Sequence, residues 1–174
     1  MAFDTYLFRL LNSLVGIRGW IDTWIIFKSE FLGWWILIAL LVGIVFAHEK
    51  KREIGILVQA CIAGLVSRFI FAEIIQYWYD RPRPFEVLDD IRQLVFHASG
   101  GSFPSAHASF FFAIAAAVFF YKRVWGVIFF GMALYMGTGR VEAGLHWPSD
   151  IVAGAVIGIF SAWIVRMFIK KLKA

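Results

Sequence analysis

The chain has 174 residues, of which 61% are hydrophobic and only 17% charged, and its mean hydropathy is +0.75. A soluble domain carries roughly 25% charged residues, so a soluble fold is excluded and one bundle of membrane helices over residues 1–174 is expected, without a separate soluble domain. The formal charge of +5 does not point to nucleic acid, because Lys and Arg gather in short loops between apolar runs, as membrane topology requires.

The opening segment, about 3–27, is apolar but carries Asp4, Arg9, Arg18 and Asp22. It reads either as an N-terminal interfacial amphipathic helix or as a sixth, poorer span. The Met-Ala-Phe-Asp start lacks the basic region and apolar core of a cleaved signal, so insertion is expected to depend on the mature helices. Apolar runs of spanning length follow at about 31–47, 54–79, 105–121, 124–140 and 149–169, each near the ~20 residues that cross ~30 Å of hydrocarbon. The fold class is therefore all-α, an integral-membrane helical bundle of five or six transmembrane helices. Cys61 lies inside a run and reads as a small hydrophobe, and a single cysteine allows neither an internal disulfide nor a cysteine metal cluster.

Alternation of five spans puts His48 to Arg52, Tyr121 to Arg123 and Lys170 to Lys173 on one side. The positive-inside rule makes that side cytoplasmic and predicts a multi-pass protein of the cytoplasmic membrane. The opposite, extracytoplasmic side holds the long 80–104 loop, with a short helical patch expected near 88–96, and the 141–148 connection. A loop of that length in a compact protein is functional or disordered, and its Arg-Pro and Gly-Ser-Phe-Pro-Ser content favours function.

Three clusters share that side: Arg81-Pro82-Arg83-Pro84-Phe85, Pro104-Ser105-Ala106-His107, and Arg140 through His146 to Asp150. Pro104 suits a first turn, so Ser105, Ala106 and His107 are expected to start a helix whose amides and dipole favour an anion. His107 can present a proton to a leaving oxygen. His146 and Asp150 stand four apart around Pro148, so the carboxylate is expected to accept the Nδ1 proton and leave Nε2 aimed outward for attack. Arg83 and Arg140 supply planar forks matching the equatorial oxygens of a phosphoryl group. The clusters hold too few carboxylates for magnesium and too few histidines for zinc, so neither a metal nor another cofactor is expected.

These motifs resemble the type 2 phosphatidic acid phosphatase superfamily of membrane lipid phosphatases, which also includes vanadium-dependent haloperoxidases. The family pattern is Lys, six residues, Arg-Pro; a Pro-Ser-Gly-His-like element; and Arg, five residues, His, three residues, Asp. Arg83-Pro84, then Pro104, Ser105 and His107, then Arg140, His146 and Asp150 match it over about residues 70 to 155. Ala106 replaces the usual Gly and keeps its backbone N–H. Gln76 stands where the family has Lys, which removes a charge but leaves a donor for a phosphate oxygen.

The resemblance implies that His146 attacks phosphorus, that His107 protonates the leaving group and that water then hydrolyses the phosphohistidine. It also implies sideways entry of a lipid from the outer leaflet. Undecaprenyl diphosphate is the first expected substrate, followed by lipid A phosphate and phosphatidylglycerol phosphate. A soluble-type vanadate peroxidase is disfavoured by the apolar spans, and a binding or transport relative without turnover is the non-enzyme alternative that Gln76 keeps open.

Among the remaining polar residues, Arg81 is weighed toward lipid headgroups. His97, Glu142, Asp89, Asp90 and Arg92 are taken as solvated loop residues that can shape headgroup choice. Arg68 lies near the middle of a span, where a charge is expensive, and an internal pair with Glu73 or a neighbouring helix is expected.

Overall fold

The computed structural model describes residues 2–46, 48–97 and 100–172, all helix, turn or irregular chain with no strand among them. Helix α1 runs Ala2–Asn12, α2 Gly19–Val45 and α3 Lys50–Trp78. A single-turn α4 covers Pro84–Val87. Then follow α5, Ala106–Phe119, α6, Arg123–Glu142, and α7, Pro148–Leu172. Helices α2 and α3 each contain one widened turn of π type, Phe27–Phe31 and Ser67–Ala72. Such turns occur often at functional positions.

Helices α2, α3, α6 and α7 have 27, 29, 20 and 25 residues and are long and apolar enough to cross a membrane. The protein is a multi-pass membrane protein. Its lipid-facing surface is made of side chains such as Ile38, Leu41, Val58, Ile62, Val152 and Val156, all exposed, which water would not tolerate over so wide an area. Helix α5 has only 14 residues, roughly 21 Å at 1.5 Å per residue. It is short because it is the core: every residue from Phe111 to Val118 is buried, wrapped by α3, α6 and α7.

The opening segment does not take one form over 3–27: its first part is a short amphipathic helix and its last part joins the first span. Gly16 adopts φ +76 and breaks it. Its amide donates to Asp22 Oδ1 at 2.8 Å, and the Arg92 guanidinium occupies the place a Cβ would need, 1.6 Å from the ideal position. Before the break α1 is an 11-residue helix, too short to span at ~1.5 Å per residue. After it, Gly19–Ile26 simply lengthens the first span.

The helical patch expected at 88–96 is also absent. The helix sits earlier, at Pro84–Val87, where Pro84 fixes the first position and Glu86 Oε2 accepts the Arg83 amide at 2.7 Å. Leu88 is extended, Asp89 and Asp90 form a turn, the chain beyond is irregular, and other elements take up its backbone groups. Leu94 donates to the Ala143 carbonyl at 3.2 Å, and the Asn12 amide brackets Arg92 at 2.9 and 3.2 Å.

The basic ends of α3, α6 and α7 lie at one pole of the bundle, where Lys122 reaches Glu53 of α3 at 2.7 Å. The three motif clusters and α1 lie at the other pole.

Candidate active site

The site is assembled where α5 and α7 begin side by side. A Cβ on Gly154 would come within 2.8 Å of the Ser105 carbonyl, and one on Gly158 within 2.5 Å of the Ser109 carbonyl, so these two positions set how closely the helices approach. The Ser105 amide donates to the Asp150 carbonyl at 3.1 Å, which joins the two starts directly. Gly144, at φ +85, turns the chain after α6 and delivers His146 to the gap.

His146 is 2% exposed. Its Nδ1 lies 3.0 Å from the Ser102 carbonyl and 3.5 Å from Asp150 Oδ2. The expected Asp150 contact is therefore present as a longer ion-pair distance, and the hydrogen-bond partner is a backbone oxygen instead. Asp150 is occupied elsewhere: Oδ2 accepts the Trp147 amide at 2.8 Å, and Oδ1 accepts Arg81 Nη1 at 2.6 Å. A carbonyl can only accept, so Nδ1 carries the proton and Nε2 keeps its lone pair. Burial pushes the His146 ring well below its ordinary value of 6.5, and the positive charges of Arg140 and Arg83 and the His107 ring push the same way.

Arg83 Nη1 stands 3.4 Å from His146 Nε2. Its guanidinium is held by three carbonyl oxygens, Leu145 at 3.0 Å, Gly100 at 3.1 Å and Gly101 at 3.3 Å. Burial lowers the Arg83 pKa, with Glu86 and Asp150 opposing; the group stays a cation at any ordinary pH.

Arg140, 1% exposed, donates from Nη1 to Glu30 Oε1 at 3.1 Å and to the Ser29 carbonyl at 3.4 Å. Its buried Nε has no hydrogen-bond partner among the described residues. His107 is half-buried and lines a cavity of about 390 Å³ shared with Glu30, Arg68, Phe110 and Met136. The charges of Arg140, Arg68 and Arg83 all act on its ring.

Ser105 is the N-cap of α5, its Oγ 3.4 Å from the Ala108 amide, and Ala106 is the first helical residue. The expected phosphate donor Gln76 is engaged differently, because Nε2 donates to the Pro104 carbonyl at 2.9 Å and braces the segment before the cap. The motifs thus bring His146, Asp150, Arg83, Arg140 and His107 into one electrostatically coupled group, with Ser105, Ala106 and Gln76 at its frame.

Four residues outside the motif set belong to the same network. Arg81 is not at the headgroup surface: it joins Asp150, Ser149 Oγ at 2.7 Å and Asp4 at 2.6 Å, and lies over the Trp147 ring. Arg81 and Arg83 both precede proline, which holds each extended and places residues two apart on one face. The Arg-Pro-Arg-Pro repeat was a legible signal for this. Asp4 Oδ1 accepts the Ser149 amide at 2.9 Å, so α1 caps α7. Burial alone would raise the Asp4 carboxyl, but hydrogen bonds from Ser149 and Arg81 outweigh it and hold the group below its ordinary value. Ser102 gives His146 its carbonyl, which no side-chain pattern announces, while its hydroxyl bonds to the Pro82 carbonyl at 3.4 Å and to Asp150, and Glu30 is a charge in the middle of an apolar helix.

Glu142 is not a solvated loop residue. It is 5% exposed and pairs with Lys28 at 2.5 Å, because α6 continues through it and places it against α2. Arg68 does not pair with Glu73 among the described residues; its guanidinium lies over the Phe69 ring at 5.2 Å. Asp90 and Arg92 tie the loop to α1 through Arg9 and Val15, while Asp89 is exposed and His97 half-buried. Among the described residues no three His, Cys, Asp or Glu side chains gather as a metal set.

A helical bundle with two histidines and two guanidinium groups at one pole is the architecture of a membrane phosphatase family. The chain belongs to that family: the model of the PAP2 superfamily matches residues 56–174. It is 28% identical to the bacitracin transport permease protein BcrC of Bacillus licheniformis over 95% of this chain and 80% of that one. It is 27% identical to the undecaprenyl-diphosphatase BcrC of Bacillus subtilis over 93% and 82%, and 30% identical to the lipid A 4'-phosphatase of Bacteroides thetaiotaomicron over 98% and 79%. The crystal structure of LpxE from Aquifex aeolicus superposes with a TM-score of 0.76 at 25% identity, covering 96% of both chains. The family and the reaction class expected from the motifs are those to which the phosphatases among these relatives are assigned by name.

Proposed function

We propose that this protein removes the terminal phosphate of a polyprenyl diphosphate, undecaprenyl diphosphate first, at the extracytoplasmic face of the cytoplasmic membrane and without a metal. The observation that carries the reading is the Ser102 carbonyl on Nδ1 of His146, which leaves the Nε2 lone pair 3.4 Å from the Arg83 guanidinium. Nε2 attacks the terminal phosphorus as the bond to the bridging oxygen breaks. His107 gives that oxygen its proton. Water then attacks the phosphohistidine, His107 takes a proton from it, and Nε2 leaves with its lone pair restored. Arg83 and Arg140 stabilise the charge on the equatorial oxygens, which a divalent ion would otherwise offset.

The undecaprenyl-diphosphatase relative and the mostly apolar cavity beside His107 support the choice of substrate. A lipid A phosphate or phosphatidylglycerol phosphate would be handled by the same chemistry. Purified protein in detergent with EDTA is expected to release phosphate fastest from undecaprenyl diphosphate in a panel of these three lipids. His146→Ala is expected to be at least ~10³-fold slower, as loss of a covalent nucleophile requires. Abolition of release by EDTA, or full activity in His146→Ala, would refute the mechanism.

A further inference from the structure

Arg68 has no part in the motif chemistry, yet it is a cation held at the depth of the site. It lies in the π-type turn Ser67–Ala72 of α3, and the Ser67 hydroxyl donates to the Ser109 carbonyl at 3.1 Å, which fixes that turn against α5 two residues past His107. Its guanidinium lines the same cavity as His107, of about 390 Å³. Among the described residues it has no ion pair or hydrogen bond, only the ring of Phe69. The carboxylate in that cavity, Glu30, is engaged by Arg140 at 3.1 Å. An arginine among apolar side chains at membrane depth is expensive unless something anionic comes to it.

We infer that Arg68 binds the phosphate that stays on the lipid, so that the cavity beside His107 is the seat of the leaving phosphate and selects diphosphate over monophosphate substrates. This rests on the reaction proposed above. When a diphosphate is cleaved, the electron pair of the breaking bond between the terminal phosphorus and the bridging oxygen passes to that oxygen, which His107 protonates. The departing group is then a phosphate monoester whose other oxygens remain charged. His107 lines the cavity of Arg68 and lies within electrostatic reach of Arg83 and His146, so a second phosphate joined through the oxygen that His107 protonates has Arg68 as the cation on its side. A lipid monophosphate leaves as an alcohol, which His107 alone neutralises. For that substrate Arg68 has nothing to hold.

The test uses two lipids with one tail, farnesyl diphosphate and farnesyl monophosphate, with wild type, Arg68→Gln and Arg68→Lys in detergent. Arg68→Gln is expected to lower kcat/KM for the diphosphate by ~10-fold to 100-fold, the scale of one lost charge-assisted contact to a transition state. It should change the monophosphate by less than about threefold, the residual effect of losing one more distant charge. Arg68→Lys should retain most of the preference. Equal loss on both lipids, or no loss on either, would overturn the inference while leaving the proposed reaction standing. Wild type silent toward both lipids would overturn the reaction and the inference with it. A measurement on wild type alone covers the case of a misfolded variant: methylenediphosphonate should inhibit at about a tenfold lower concentration than methylphosphonate, a difference of one added ionic contact, and equal inhibition would contradict the second phosphate seat.

Discussion

The proton of His146 is placed by a backbone atom. Because the Ser102 carbonyl is 3.0 Å from Nδ1 and can only accept, the tautomer that leaves Nε2 free is imposed before any substrate arrives. Asp150, at 3.5 Å, contributes its charge while holding the Trp147 amide and Arg81. The consequence for Arg81 is measurable. Arg81→Ala leaves Asp150 and Asp4 without their cation, and an uncompensated buried charge is worth about 3 kcal/mol, to be read from unfolding in detergent against wild type. The ring also sets a pH dependence. In the fold the His146 pKa lies well below 6.5, whereas the unfolded chain titrates near that value, so the unfolded state binds more protons as pH falls below about 6.5. Stability is therefore full above that pH and declines below it. The Asp4 carboxyl, also depressed in the fold, adds a second loss as pH falls below about 3.9 toward its folded value. Thermal unfolding between pH 7.5 and 5 should show the first decline in wild type and a shallower one in His146→Gln; equal slopes would contradict the assignment. That His146, His107, Arg83 and Arg140 gather at one pole was legible in the sequence, because the proposed chemistry asks for those residue types at those spacings. The contact of Ser102 with His146 was not, since it is made by a carbonyl that every residue has.

The helix starts beside which His107 and His146 stand meet because α5 and α7 pack with almost no space between them. Gly158→Ala would bring a Cβ to 2.5 Å from the Ser109 carbonyl and 2.8 Å from the Ala113 amide, both backbone atoms that cannot rotate away. The helices must part, and a shift of about 1 Å between reacting groups can cost on the order of 100-fold in kcat. Gly131→Ala, with nothing within 4 Å of the added Cβ, is the control and should keep full activity. Equal behaviour of the two variants would sink the packing argument. The five apolar runs could be read as helices from their length, because lipid leaves few alternatives to helix, but only four of them are helices of spanning length, and α5 has 14 residues. The break at Gly16 could not, because it depends on Arg92 and Asp22, which meet it only in three dimensions. The loop 88–96 misled for a related reason: its amides and carbonyls are satisfied by Asn12 and Ala143, partners distant in sequence, so no helix is required of it.

At the scale of the whole molecule, charge is divided between the poles. Lys and Arg crowd one end, while the other carries a site whose buried cations outnumber the free carboxylates and so await an anion. In the orientation proposed above, the basic pole faces the cytoplasm, as the positive-inside rule requires. In a Cys61→Ser background, an impermeant maleimide added to intact cells should label Asp89→Cys and spare Lys51→Cys; the reverse pattern would invert the topology. The small α1 belongs to this scale as well, because Asp4 ties it to Ser149 and Arg81 and thereby makes the N-terminal segment part of the pole that carries the site. The covalent step is what the rest depends on. Brief exposure of the protein to a polyprenyl diphosphate labelled in its terminal phosphate, quenched in alkali and mapped by mass spectrometry, should place the label on His146. No label at all, or label on another side chain while phosphate is still released, would contradict the account.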